Sequence, residues 1–473
     1  MVRTKLVALL LGPSGVGLVG LYMSATGLIG TIASMGIGSS GVREVAEAHG
    51  SGDPASVART VKTLRRACWV TGLIGWIITI FLSWPLSVWT FGSGEHAVAI
   101  ATLGITVLFS SLSSGQTSLL QGTRRIGDIA RLNVFGVVAG TVVAVGLYAW
   151  LGGRGIVPVL IVTGGINLGF SWWFASKVEF APVKQTFTES WRYSRRLFQL
   201  GFAFMWSGVL TAIVALAIRS LIVRHLGLDA NGIYQAAWGI SGMFAGFILG
   251  AMGTDFYPRL TAAAHDHAQM NRLVNEQTEI GVLLALPGLL GTLAFAPWVM
   301  RIFYSAKFMT GAELLPWFVV GIFGQVISWP MGFMLAAKGE SRWYILVETT
   351  SNALRFVLSI ILLNALGLWG TALAMPIMYF AYTALLLWVC NQITEFKWSA
   401  ACLKLVALSA ILIFFEFVVQ KILPRYISLG TGAVITVVAS LISARGLISR
   451  LGRQHRIVLM LCRFPIIRFA CGI

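Results

Sequence analysis

The sequence predicts an all-α polytopic membrane protein, and three observations support this fold class. The 473 residues are 57% hydrophobic and only 11% charged, far from the composition of soluble domains. Uncharged stretches of about 20 residues, the length needed to cross a bilayer, recur along nearly the whole chain. Lys and Arg outnumber Asp and Glu by 35 to 17, and these bases concentrate in alternate connections. This pattern indicates membrane topology and not nucleic-acid binding.

The apolar stretches predict about 14 transmembrane helices, of which the first is truncated. Most basic residues follow the even-numbered helices, so these helices are predicted to end in the cytoplasm. The first helix has about half the length of a span, so we expect the natural start about 15 to 25 residues upstream. The predicted segments are 1–11, 6–42 (with a loop at LGPSG), 67–94, 96–123, 132–153, 155–176, 197–218, 230–254, 280–300, 314–337, 343–363, 368–391, 405–420 and 426–444.

An internal repeat groups these helices into two halves. The stretch from Leu11 aligns with the stretch from Leu226 at an offset of 215, which matches Gly12 with Gly227. Six helices separate the copies, so we predict two six-helix bundles related by a pseudo-twofold axis along the membrane normal, plus two extra C-terminal helices. The predicted parts are an N-terminal lobe (1–178), a cytoplasmic linker (179–196), a C-terminal lobe (197–391), two additional helices (392–446) and a basic cytoplasmic tail (447–473).

Motifs of soluble enzymes are missing from the sequence. It contains no Walker A motif, no GxSxG motif and no large loop outside the membrane, so we expect no enzyme, no catalytic residues and no cofactor. The five cysteines show no metal-ligand or disulfide pattern. His265, Asp266 and His267 could ligate a metal, but a solvated loop is the much better explanation of this polar connection, and we predict no metal site.

Charged residues inside apolar segments are the candidate functional residues, because each costs ~2.5–3.5 kcal/mol at a helix centre unless a cavity or partner offsets that cost. Arg219 lies on the helix that the repeat matches to the helix of Arg3 and Lys5, so both halves offer cations. Such cations suit phosphate or pyrophosphate, although snorkelling to the interface is the alternative for Arg219. The predicted substrate-binding cations are Arg3, Lys5, Arg43, Arg219 and Arg355.

Two carboxylates are candidates for ion coupling. Glu348 and Asp255 are embedded among apolar residues, where a titratable group suits H⁺ or Na⁺ coupling. Glu348 and Arg355 lie seven residues apart on one helix face, so a purely structural ion pair is the alternative explanation.

Five stretches carry a family resemblance: LGPSGVGLVGLY, GIGSSGVREVAE, GIYQAAWGIS, TDFYPRL, and LAAKGE followed by a helix with Glu348 and Asn352. In this order they resemble the polysaccharide-transporter branch of the multidrug/oligosaccharidyl-lipid/polysaccharide exporter superfamily, and within it the bacterial O-antigen flippases. The stretches span most of the chain between residue 2 and about residue 391. The shortened first helix and the two additional C-terminal helices depart from the family pattern.

The resemblance implies two lobes around a cavity and alternating access. It implies that undecaprenyl-pyrophosphate-linked oligosaccharide, from O-antigen or exopolysaccharide synthesis, moves from the cytoplasmic to the periplasmic leaflet of the inner membrane. It also implies glycan polymerase and ligase machinery as neighbours. Two alternatives stay open: a drug/cation antiporter of the same superfamily, and a membrane glycan polymerase or ligase. Cavity arginines argue against cationic drugs, and the lack of a large periplasmic loop argues against the enzyme.

Overall fold

The computed structural model describes residues 2–178, 183 and 185–451. Within these ranges all regular secondary structure is helical. Eleven helical stretches in this part of the chain are long and apolar enough to cross a membrane. The predicted fold class, an all-α multi-pass membrane protein, is confirmed.

The eleven stretches account for all predicted transmembrane segments. Three of them, Thr4–Ser34, Ile126–Ala175 and Met205–Met243, each overlap two predicted segments, and each of the others overlaps one. Two of these three stretches are interrupted only by a glycine kink, and in the third the 3₁₀ turn Gly152–Gly155 connects the two helices. The smaller number therefore reflects helices joined without an extended loop.

The first compact unit, Met1–Gly232, contains six helices and the beginning of a seventh. These helices are α1 (Val2–Ser34), α2 (Ile37–Gly50), α3 (Pro54–Phe91), α4 (Ala97–Gly122), α5 (Ile126–Leu151), α6 (Ile156–Ala175) and the first part of α7 (Phe187–Ala262). Helix α4 packs against α1, α2, α3 and α6, which makes it the central helix of the unit. Its Ile100, Leu119 and Leu120 side chains are almost completely buried.

The second compact unit, Ile233–Ile473, contains the rest of α7 and the helices that follow it. These are α8 (His267–Ala294), the short α9 (Ala296–Phe303), α10 (Gly311–Lys338), α11 (Ser341–Leu366), α12 (Leu368–Thr394), α13 (Ala400–Ile422) and α14 (Arg425–Leu451). Helix α10 packs against α8 and α12, and its Phe318 and Met331 side chains are fully buried. Helix α11 packs mainly on α12, and α14 packs on α8.

Helices α1 and α7 are each interrupted at a single glycine. Gly12 has φ 66° and ψ −170°, and Gly227 has φ 85° and ψ 174°. Glycine tolerates such positive φ values because it has no Cβ atom. The two glycines are the equivalent positions of the predicted repeat, so the repeat has a shared backbone geometry. The prediction of a loop at LGPSG was wrong, because the chain is helical on both sides of Gly12. Pro13 is the first residue of the helix after the kink, a position where the missing N–H of proline costs no hydrogen bond.

The two copies of the repeat touch each other beside these kinks. A Cβ atom added to Gly17 would lie 2.4 Å from the carbonyl oxygen of Leu228, and one added to Gly232 would lie 1.9 Å from that of Pro13. Positions 17 and 232 are equivalent in the repeat, and so are 13 and 228, so the contact is reciprocal, as in a twofold interface. Asn231 Nδ2 also donates to the Gly17 carbonyl over 2.9 Å.

The first part of α7 is anchored on the C-terminal end of α3. Ser220 Oγ donates to the Trp89 carbonyl over 2.8 Å, and Arg224 Nη2 donates to the Val88 carbonyl over 2.6 Å. This packing explains why the first compact unit extends to Gly232, inside α7. The predicted lobe boundaries follow the repeat and not the packing, and they stay a prediction.

The predicted segment 6–42 ends earlier than expected. Helix α1 stops at Ser34, because Met35 and Gly36 adopt positive φ values of 45° and 73°. A glycine in this conformation is a common helix terminator. The following helix, α2, is separate and carries Arg43.

We predict that Gly232→Ala lowers the melting temperature of the purified protein in detergent by several degrees. The new methyl group overlaps a backbone carbonyl, which no side-chain rotation can relieve, and such overpacking typically costs about 1–3 kcal/mol or more. Gly242→Ala is the matched control on the same helix, since a Cβ atom there meets nothing within 4 Å. Equal melting temperatures for the two variants would contradict the reciprocal contact.

Candidate functional site

A carboxylate in the second unit is held between α11 and α12. Tyr382 Oη on α12 donates to Glu348 Oε1 over 2.8 Å. The Glu348 main-chain oxygen accepts hydrogen bonds from Asn352 Nδ2 at 2.9 Å and from Ser351 Oγ at 3.1 Å. The carboxylate is half-buried in a helix of transmembrane length. This carboxylate therefore links two helices.

Arg355 lies two turns further along α11, and its guanidinium carbon sits 4.9 Å from the ring centroid of Trp238 on α7. Trp238 in turn packs edge-on against Phe318 and stacks with Tyr234. Among the described ion pairs there is none between Arg355 and Glu348. The structural ion pair between these two residues is therefore not formed, because the Arg355 guanidinium packs against the Trp238 ring of another helix.

The predicted cations of the first unit occupy different environments. Lys5 on α1 is half-buried, whereas Arg43 on α2 is exposed. Arg219 on α7 is only 8% exposed, and its Nη1 donates to the Ala215 carbonyl over 3.0 Å. The Arg3 side chain lies outside the described part of the structure.

The side chain of Asp255, the second carboxylate considered for ion coupling, also lies outside the described part. The substrate-binding roles of the five cations and the coupling roles of the two carboxylates stay predictions.

The first unit contains a cavity of about 510 Å³ between α1, α4 and α6. Its lining is uncharged and rich in hydroxyl groups. The lining residues are Met23, Thr26, Gly27, Gly30, Thr31, Ser34, Leu103, Thr106, Val107, Ser110, Ser111, Ser114, Leu160, Thr163, Gly164 and Asn167. Lys5, Arg43, Arg219 and Arg355, the predicted cations whose side chains are described, are not among these residues.

The sequence analysis missed this cavity, although a signal for it exists. On α4 the polar positions Thr106, Ser110 and Ser114 recur every four residues, which places them on one helix face. Small and polar residues recur at similar spacing on α1, from Thr26 to Ser34. Serine, threonine and glycine are also ordinary packing residues of membrane helices, so spacing alone does not distinguish the two roles.

The residues considered as a metal clip have other partners. Asp266 caps α8 by accepting a hydrogen bond from the Gln269 main-chain nitrogen over 3.0 Å. His267 Nε2 lies 2.7 Å from Lys338 Nζ. Within the described residues, no three His, Cys, Asp or Glu side chains are grouped so that they could hold a metal ion.

Solved structures with the same fold include two kinds of transporter. A multidrug resistance transporter of the MATE family, MOP superfamily, in an inward-facing conformation superposes with a TM-score of 0.64 and 16% identity, covering 83% of this chain and 93% of that one. The lipid II flippase MurJ in an inward closed conformation gives a TM-score of 0.62 and 14% identity, covering 92% and 97%. At these identities the likeness establishes the fold alone.

Curated proteins with similar sequences are flippases. The lipid III flippase of Escherichia coli (strain K12) is 22% identical over 396 residues, covering 80% of this chain and 91% of that protein. A probable low-salt glycan biosynthesis flippase of Haloferax volcanii is 21% identical, covering 79% and 76%. The sequence profile of the family described as polysaccharide biosynthesis protein matches residues 6–313. Since this match covers more than half of the 473 residues, the chain belongs to the polysaccharide biosynthesis protein family.

Proposed function

We propose that this protein is a flippase for undecaprenyl-pyrophosphate-linked oligosaccharide, the repeat unit of an O-antigen or exopolysaccharide. It moves this lipid from the cytoplasmic to the periplasmic leaflet of the bacterial inner membrane by alternating access. The glycan polymerase and ligase that use the product are its expected neighbours. The observation that carries the proposal is the similarity to a lipid III flippase over 91% of that protein's length.

The physical demands of this task agree with the described structure. A sugar diphosphate cannot cross about 30 Å of hydrocarbon unaided, so a flippase must offer polar groups within its membrane helices. Both units provide such groups. The first has the hydroxyl-lined cavity and the buried Arg219, and the second has Glu348 and Tyr382 between two long apolar helices.

The proposed energy source is an ion gradient. Protonation of Glu348 removes its charge and alters the hydrogen bond from Tyr382, which links α11 to α12. If this contact differs between inward-open and outward-open states, H⁺ or Na⁺ favours the state that binds it more tightly. A gradient of that ion then biases the transport cycle.

A drug/cation antiporter is the second candidate, since a multidrug transporter of the MATE family shares this fold. The two functions are separated by one measurement on inverted vesicles, the uptake of a cationic dye. A flippase for lipid-linked glycans gives no protein-dependent dye transport. Dye uptake that follows the ion gradient, without glycan-lipid movement, would establish the antiporter instead.

We predict that proteoliposomes move undecaprenyl-diphosphate oligosaccharide between leaflets without ATP, because no nucleotide-binding motif is present in the sequence. A glycan-modifying enzyme added outside detects the flipped lipid. An imposed pH or sodium gradient should raise the rate, and Glu348→Gln should remove that increase. Glu313→Gln is the matched control, since Glu313 is exposed in the first turn of α10.

The outcomes of this assay separate the proposals. Failure of the wild-type protein to move the lipid under any gradient would reject the flippase function. Gradient-stimulated movement that Glu348→Gln leaves unchanged would reject only the coupling role of this carboxylate.

We also predict that Arg219 binds the diphosphate. Arg219→Ala should lower flipping at least about tenfold with normal membrane insertion, because charge-assisted hydrogen bonds to the anion are lost, whereas Arg219→Lys should keep part of the rate. Arg453→Ala, in the basic C-terminal tail, is the control. In a variant lacking the five native cysteines, Arg219→Cys should react with water-soluble thiol reagents, and complete protection from either side would contradict contact with the headgroup.

A further inference from the structure

The cavity of the first unit is built for a ligand without charge. Among the residues that the structure describes, its lining contains no Lys, Arg, His, Asp or Glu side chain, and no aromatic ring. A diphosphate buried there would lack the cationic or N–H-rich partners that phosphate sites use. A cationic drug would lack a carboxylate or an aromatic face. The cavity therefore suits a neutral, polar part of a substrate.

Six of the eight hydroxyl groups in the described lining donate to main-chain carbonyls. Thr26 Oγ1 donates to the Tyr22 carbonyl at 2.9 Å, Thr106 Oγ1 to Leu103 at 2.6 Å, and Thr163 Oγ1 to Val159 at 2.7 Å. The hydroxyls of Thr31, Ser34 and Ser111 likewise donate to main-chain carbonyls. A hydroxyl group has one donor and two acceptor sites. When it donates its hydrogen to a backbone carbonyl, only its lone pairs are left to bind a ligand.

Back-bonding of this kind is common for Ser and Thr in membrane helices and does not by itself make a site. Here hydroxyl-bearing residues from three helices line one space of about 510 Å³. That volume lies within the range of about 300–1,000 Å³ typical of small-molecule sites. Of the described lining residues, only Asn167, which is exposed, carries side-chain N–H donors.

A ligand that matches this surface must be uncharged and rich in hydrogen-bond donors. Sugar rings have this chemistry, since each hydroxyl group can donate one hydrogen. We infer that the cavity between α1, α4 and α6 binds neutral sugar rings of the transported glycan, while the diphosphate is bound elsewhere. This inference rests on the proposed flippase function and specifies which part of the substrate the first unit recognises.

Glycines set the size of the cavity. A Cβ atom on Gly27 would meet nothing within 4 Å, and one on Gly30 would have its nearest neighbour at 4.0 Å. A larger side chain at position 27 therefore fills free space without displacing other atoms at its base. Gly27→Leu is expected to exclude the glycan and leave the helix packing intact.

The test uses proteoliposomes and three synthetic lipids. All three carry undecaprenyl diphosphate, which is linked to one neutral hexose, to a neutral trisaccharide, or to a trisaccharide in which one hexose is a uronic acid. Wild-type protein should flip the neutral trisaccharide lipid at least about tenfold faster than the uronic acid lipid, because a carboxylate in an uncharged cavity is poorly solvated. Equal rates would overturn the assignment to neutral sugars.

Two variants on different helices test the cavity itself. Thr106→Val should slow the neutral trisaccharide lipid about three- to tenfold, the loss expected for one hydrogen bond to the ligand. Gly27→Leu should slow it further and change the single-hexose lipid less than about twofold. Thr102→Val is the control, since Thr102 is on α4, back-bonds to Val98 at 2.9 Å and lies outside the lining.

The possible failures are distinguishable. If wild-type protein flips none of the lipids, the proposed function fails. If it flips them and both cavity variants behave like Thr102→Val, the sugar-binding inference fails and the flippase function stands. Should one variant not insert into the membrane, the other still decides the question, because the two substitutions are on α1 and α4.

Discussion

Two helices of the first unit approach so closely at Gly17 and Gly232 that neither position has room for a Cβ atom. The courses of α1 and of the first part of α7 follow from this contact. The segment of α1 after Gly12 continues from it to the face that lines the cavity, and the adjoining part of α7 reaches back from it to the end of α3. In hydrocarbon the backbone must satisfy its own hydrogen bonds, so helices break only where neighbouring protein compensates. The kinks at Gly12 and Gly227 meet that requirement, because the segments that follow them pack against each other and Asn231 donates to the Gly17 carbonyl.

The cavity of the first unit and the Glu348 site of the second differ in kind. The described residues that line the cavity are uncharged, and most of their hydroxyl groups are bonded to main-chain carbonyls. In the second unit, titratable and cationic side chains bridge separate helices, as Glu348 does with Tyr382 and Arg355 with Trp238. Fixed dipoles favour recognition, because they need no reorganisation when a ligand arrives. A charge shared between helices favours switching, because its energy changes when the helices move.

Much of the fold was predictable from the sequence, since the bilayer dictates the length and apolarity of each helix. The repeat also identified the two kink glycines as equivalent. The kink at Gly12 was mistaken for a loop, because the composition of LGPSG is typical of a turn. The site was less predictable. Glu348 and Arg355 share a helix face, yet their partners come from residues 382 and 238, and no local pattern encodes such distant contacts. The hydroxyl-lined cavity was missed because the spacing of serine and threonine on one helix does not show whether a neighbouring helix or a cavity faces them.

One pair beside the kinks has a further consequence for the history of the chain. The Ser14 hydroxyl donates to the Asp229 carboxylate, and these two residues occupy the same position in the two copies of the repeat. A freshly duplicated gene encodes identical residues there, so this position faces itself across the local axis. Two aspartates would repel each other, and two serines would leave both helix N-termini without an anion to balance their dipoles. One donor and one acceptor at this position avoid both problems, so Ser14 and Asp229 are complementary where the two copies of the repeat differ.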